Sequence, residues 1–168
     1  NDGVLTAHQE CARWYINRAR FAPEMEADRL GMTNSTPGGH PNYDACEDGD
    51  GPNDFGTNSA QWAAWISPRP PLAPNRLLSI ATDKHSRDLA ASMAFSHYSP
   101  STNFYPLNSS PGQRITAEGY SWNSYNENIT GGYYTPPDVH EALFVDIGIT
   151  NRGHRKNILS TSVREIGV

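Results

Sequence analysis

Long apolar runs are missing from this chain, and their absence excludes a class of function. No stretch approaches the roughly 18 consecutive apolar residues that a membrane-crossing helix needs. Basic clusters are missing too. The formal net charge is −5, and no run of Lys and Arg or strip of interleaved aromatics breaks the pattern. That excludes a nucleic-acid partner, because phosphate binding needs clustered positive charge. Cysteine is scarce, with Cys11 and Cys46 alone, so a hydrophobic core must carry the fold in place of a framework of crosslinks. Apolar residues make up 36% of the chain, low for a globular protein. The opening Asn1-Asp2-Gly3 is polar, as expected of a mature chain rather than one that begins on a secretory leader.

What is present fits one compact domain spanning 1–168. A chain of 168 residues buries roughly 70% of the surface that its unfolded form exposes. Eight Tyr and four Trp supply bulky core material, and 14 Gly with 13 Pro announce long irregular connections. No internal repeat or low-complexity tract is visible.

The periodicity predicts a first helix over 6–21, with Ala7, Cys11, Trp14, Tyr15 and Ala19 close to a 3.6 spacing. Pro23 opens a second turn that Gly31 ends. Asn75 is a fitting N-cap for a helix over 76–95, and Pro100 enforces its stop. A third helix begins near Pro136-Pro137 and covers 138–147. Residues 101–126 read as polar loop with turns at Pro106, Pro111-Gly112 and Gly119, and 164–168 as a strand.

Residues 32–70 read as a loop excursion, punctuated by Gly38-Gly39 and by Pro68, Pro70 and Pro71. Trp62 and Trp65 are spaced to pin it to the body. Either Cys11 and Cys46 form a disulfide stapling the first helix to this loop, or both remain thiols. A bridge closing about 35 residues contributes roughly 3–4 kcal/mol in the chain-entropy model. The acidic stretch holding Asp44, Asp48, Asp50 and Asp54 reads as a solvated turn. As an EF-hand it fails at position three, Cys46, and at position twelve, Phe55. N-glycosylation sequons occur at Asn34, Asn108 and Asn128. No serine sits in a nucleophile-elbow context.

Three local patterns carry ionisable residues beside structural punctuators: Phe95-Ser96-His97-Tyr98-Ser99-Pro100, Tyr125-Asn126-Glu127-Asn128-Ile129 and Gly153-His154-Arg155. Each falls at a predicted element end, where binding groups concentrate. Two imidazoles and one or two carboxylates suit zinc or another divalent transition metal. The same residues could equally form a structural polar cluster that binds nothing. His8, His40, His85 and His140 read as ordinary structural histidines.

The order of these segments resembles the CAP superfamily, the cysteine-rich secretory, antigen 5 and pathogenesis-related group, including its bacterial SCP-like extracellular domains. Ile16-Asn17-Arg18-Ala19-Arg20 resembles the opening helix of bacterial members, and Pro71-Leu72-Ala73-Pro74-Asn75 the lead-in to the second helix. Glu165-Ile166-Gly167-Val168 closes the series. The resemblance implies an α+β fold, a loop-rich three-layer α-β-α sandwich around a small antiparallel sheet, lacking here the final strand. It implies a secreted binding domain whose cleft, lined by His97, Glu127, Asp146 and His154, holds a divalent metal and an extracellular ligand: a lipid, a glycan or a protein. Asp146 stands where the family usually places a longer Glu. Glu165 reads as a supporting or surface residue. The alternatives are a zinc-dependent peptidase or esterase, with Glu127 activating a bound water, and an adhesive domain working through the 32–70 loop.

Overall fold

The structure, a computed structural model, describes residues 4–32, 67–149 and 152–168. Most of the 32–70 excursion, with Cys46, Trp62, Trp65, the acidic stretch, His40 and the Asn34 sequon, lies outside the described residues. The Cys11–Cys46 pairing therefore lies outside them as well.

Helix α1 (Ala7–Phe21) starts where the sequence places it, because Thr6 and Gln9 form a capping box. The Gln9 N–H donates to Thr6 Oγ1 at 3.3 Å and the Thr6 N–H to Gln9 Oε1 at 2.8 Å. The short α2 (Pro23–Arg29) follows, with Pro23 in its first turn. Helix α3 (Arg76–Ser92) is capped by Asn75, whose Oδ1 accepts the N–H groups of Leu77 and Leu78. It ends three residues before the expected 95. Met93 turns left-handed at φ 50°, and the Ala94 N–H closes back on the Leu89 carbonyl at 3.1 Å, so a Schellman-type turn stops the helix well before Pro100.

A helix the sequence reading missed follows: α4 (Pro111–Ala117), in the stretch read as loop. Ser110 and Gln113 form a second capping box around Pro111, so the Pro-Gly pair marks a helix start here and not a turn. Helix α5 (Pro136–Val145) is capped by Thr135 and ends at Asp146, left-handed at φ 61°. A last short helix, α6 (Gly153–Ile158), carries the Gly-His-Arg motif.

The core is helix against helix. Helix α1 packs chiefly on α5, with α2 and α6 closing the group. Ala19, Ala27, Met32, Leu143, Phe144, Val145, Ile158 and Leu159 are buried together there. Polar staples run through it. Arg20, fully buried, donates to the carbonyls of Pro70, Ile158 and Ser160 at 2.7–2.9 Å. Burial and the neighbouring Arg164 and Arg69 push its guanidinium down to about 10.

Buried Glu26 accepts from His140 Nε2 at 2.9 Å and Arg29 at 3.1 Å, and pairs closely with Arg18. Burial alone would raise this carboxyl, but the His140 and Arg18 hydrogen bonds outweigh it and hold the group at about 2. His140 stacks between Tyr15 and Phe144.

The expected antiparallel sheet is corrected. Strands β1 (Ala73–Pro74) and β2 (Glu165–Ile166) pair in parallel, Ala73 with Glu165 and Pro74 with Ile166. Parallel neighbours need a long crossover, and the helices between residues 74 and 165 supply it. The ladder uses the N–H groups of Ala73 and Asn75, on the Arg164 and Ile166 carbonyls at 2.9 Å. Pro74 between them therefore forfeits no hydrogen bond. With two residues per strand, the described residues form an α+β arrangement without the sheet layer that a three-layer sandwich requires.

Candidate functional site

Two histidine–carboxylate pairs stand at element ends, joined by an amide lacing. The first grows from the loop after α3. His85, buried on α3, turns Nε2 onto the Ser96 carbonyl at 3.0 Å, which anchors the residue before His97. A carbonyl only accepts, so His85 carries its proton on Nε2. Burial first, and then the Arg114 charge, lower its pKa and favour the neutral ring.

Arg114, buried on α4, donates Nη1 to the carbonyls of His97 at 2.9 Å and Ser109 at 2.8 Å, and Nη2 to Glu127 Oε2. Glu127 offers its other oxygen to His97 Nδ1 at 2.9 Å. The carboxylate accepts, so the proton on His97 sits at Nδ1 and the neutral ring keeps its lone pair on Nε2. The His97 side chain is 46% exposed, the Glu127 side chain 16%.

The second pair sits where α5 hands over to α6. The left-handed turn at Asp146 aims its carboxylate at the start of α6. Oδ1 accepts from His154 Nδ1 at 2.7 Å, while Oδ2 accepts the N–H groups of His154 at 2.9 Å and Arg155 at 3.2 Å. One carboxylate thus caps a helix start and orients an imidazole. The short Asp side chain suffices because its targets lie directly across the turn. Arg152 steadies that turn through Nη1 on the Asp146 and Ile149 carbonyls. Arg155 donates to the carbonyls of Phe144 and Val145. The His154 side chain is 21% exposed and that of Asp146 is sealed.

The two pairs are laced together by Asn157, one turn after His154. Its Nδ2 donates to the Glu127 carbonyl at 3.2 Å and to Asn128 Oδ1 at 2.8 Å, and Asn128 Nδ2 donates to the His154 carbonyl at 3.1 Å. Both ends of the Asn128 amide are therefore occupied, in the sequon nearest the site.

The structure thus brings His97 to Glu127 and His154 to Asp146. Among the described residues, no group of three or more His, Cys, Asp and Glu side chains is arranged to hold a metal ion. An open cleft of about 410 Å³ runs beside α4, lined by Ser110, Gln113, Thr116, Trp122 and Tyr125 among others. Its lining does not include the two histidines. Trp122 and Tyr125 meet edge to face over Gly112, and Phe95 and Tyr98 are exposed on either side of His97. Glu165 stands apart, accepting from Asn75 Nδ2 at 2.9 Å and from the Tyr120 hydroxyl, and so ties β2 to the start of α3.

Sequence reasoning missed Arg114, read Asn128 only as a sequon, and gave Asn157 no role of its own. A capping box at Ser110 could have revealed α4, but no sequence signal says that its buried arginine faces Glu127.

The sequence profile of the cysteine-rich secretory protein family, CAP, matches residues 67–168. The chain is 33% identical over 98 residues to YkwD, an uncharacterized protein of Bacillus subtilis, an alignment covering 58% of this chain and 34% of that protein. The chain therefore spans about a third of that relative's length. No solved structure matches it.

Proposed function

The chain belongs to the CAP family, and from that premise we propose that it is an extracellular binding domain presenting His97 and His154 to a divalent metal ion and its ligand. One observation carries the reading: both imidazoles give Nδ1–H to a carboxylate, at 2.9 Å and 2.7 Å. That arrangement leaves Nε2 as the free donor and raises its basicity, as the carboxylate partner of a zinc-bound histidine does. The donor chemistry fits zinc or a similar borderline metal. His97 and His154 would hold it through Nε2, and the metal would add a charged anchor for an electron-rich group on the ligand. Glu127 and Asp146 orient the rings from behind. Among the described residues no helix is long and apolar enough to cross a membrane.

The hydrolase reading has less behind it. Both Glu127 oxygens are engaged, one by His97 and one by Arg114, so the carboxylate is placed to position an imidazole and not to activate a water. Nothing among the described residues favours an adhesive role.

Isothermal titration with zinc tests the proposal. Wild-type protein should release heat on binding, and His97→Ala and His154→Ala should each abolish most of it while the fold persists. Equal heats in all three would overturn it.

A further inference from the structure

We infer that Arg114 is the positioning residue of this site: it fixes His97 as the Nδ1–H tautomer by clamping Glu127 and the His97 backbone together. The inference rests on the proposed metal-binding reading for its relevance, but its geometry stands alone. A buried guanidinium is costly unless its donors are matched. The side-chain partners of Arg114 lie on three segments that meet at the first pair. They are the His97 carbonyl, the Ser109 carbonyl and the Glu127 carboxylate. Arg114 therefore joins His97 to Glu127 from behind, through a planar fork that reaches a backbone and a side chain at once.

The carboxylate in turn fixes the ring. With one oxygen held by Arg114, Glu127 presents the other to His97 Nδ1. Histidine free in water prefers the opposite tautomer, with the proton on Nε2, which would block that nitrogen as a metal ligand. His97 is half-exposed, and its ring is held by the hydrogen bond to Glu127. His85 fits the same design: buried beside Arg114, it holds the Ser96 carbonyl as a neutral ring, so no second cation competes with Arg114 for Glu127.

The experiment is a long-range proton–nitrogen correlation spectrum of histidine-labelled protein at about pH 8, where an ordinary imidazole is neutral. It is read beside zinc titrations of wild type, Arg114→Gln and Arg114→Lys. Wild-type His97 should show the Nδ1–H pattern. In Arg114→Gln the Nε2–H form should appear at His97 and not at His154, and zinc affinity should fall about 10–100-fold, as on losing other groups that orient metal ligands.

Arg114→Lys keeps the charge but not the fork, and should also lose the tautomer. It is the variant to read if Arg114→Gln does not fold. A folded variant with the wild-type tautomer would overturn the inference and leave Arg114 merely structural. So would wild-type His97 in the Nε2–H form. If the tautomer shifts as expected but wild type binds no zinc, the metal-binding reading fails and the positioning role stands.

Discussion

Asp146 holds His154 twice, through the imidazole Nδ1 at 2.7 Å and through the backbone N–H at 2.9 Å. Side chain and backbone of one residue are held by one carboxylate, so the orientation of the ring is tied to the start of α6 through Asp146. Asp146→Asn separates charge from shape, because Asn tolerates the left-handed backbone that Asp146 adopts. An amide offers only one acceptor atom for these donors. We expect a stability loss of about 1.5–3 kcal/mol in urea denaturation, the range for hydrogen bonds to a charged group. A wild-type midpoint would show that the double contact contributes nothing.

Two glycines should respond differently to a methyl group. At Gly167 an added Cβ would lie 2.2 Å from the Leu78 carbonyl carbon and 2.4 Å from the Ser79 nitrogen, atoms of the α3 backbone. At Gly112 it would meet ring atoms of Tyr125 at 2.8 Å and Trp122 at 2.9 Å, and both rings are partly exposed and can swing. Thermal denaturation should therefore show Gly167→Ala losing at least about 3 kcal/mol and Gly112→Ala about 1–2. The reverse order would contradict the close approach of β2 to α3.

Acid should loosen the α1–α2–α5 core through Glu26. Its folded carboxyl lies near 2, below the ordinary 4.5, so its stabilising contribution is complete above 4.5. It is lost as pH falls from there toward 2. Denaturation midpoints from pH 6 to about 2 should drop through that window, and Glu26→Gln should flatten the drop. An unchanged slope in the variant would remove Glu26 as the cause.

Alkali should act elsewhere. The Tyr120 hydroxyl donates to Glu165, and this bond, with burial, raises the phenol to about 12 from 10. The link stabilises fully below 10 and fails as pH rises from 10 to 12. Tyr105, buried and donating to Glu118, is raised as well, so phenolate absorbance should show two tyrosines titrating late, one of which returns toward 10 in Glu165→Gln. An unchanged titration in the variant would mean that the contact does not form.

The helices were legible where a cap announces them. Asn75 and Pro136 sit at starts that the sequence marks, and α1 keeps its expected span within a residue. Helix α4 was lost because Pro111-Gly112 also spells a turn, and the capping partner Gln113 was the deciding letter. Sheet direction was illegible for a different reason. A pairing of two residues per strand has no periodicity to read, and the family pattern suggested the wrong orientation.

At the site, the motifs gave the places of His97, Glu127 and His154, but not the division of labour among them. Which carboxylate faces which imidazole, and that Arg114 backs one pair while backbone N–H groups back the other, are facts of packing between residues 8 to 30 positions apart.

The parallel seam has a consequence for how the chain comes to be made. Asn75 bonds Glu165, 90 positions on; Arg20 reaches Ile158, 138 on; and Gln9 donates to the Val168 carbonyl, 159 on. Contacts of such sequence separation are closed late and slowly, because the loop entropy must be lost before they form. On a ribosome, which emits the amino end first, α1 lacks its Gln9 partner and two of its three Arg20 acceptors until residues 158–168 have emerged. The long-range staples of α1 therefore close only after residues 158–168 exist, whatever the earlier contacts of the helix with Leu72 and Pro70 achieve.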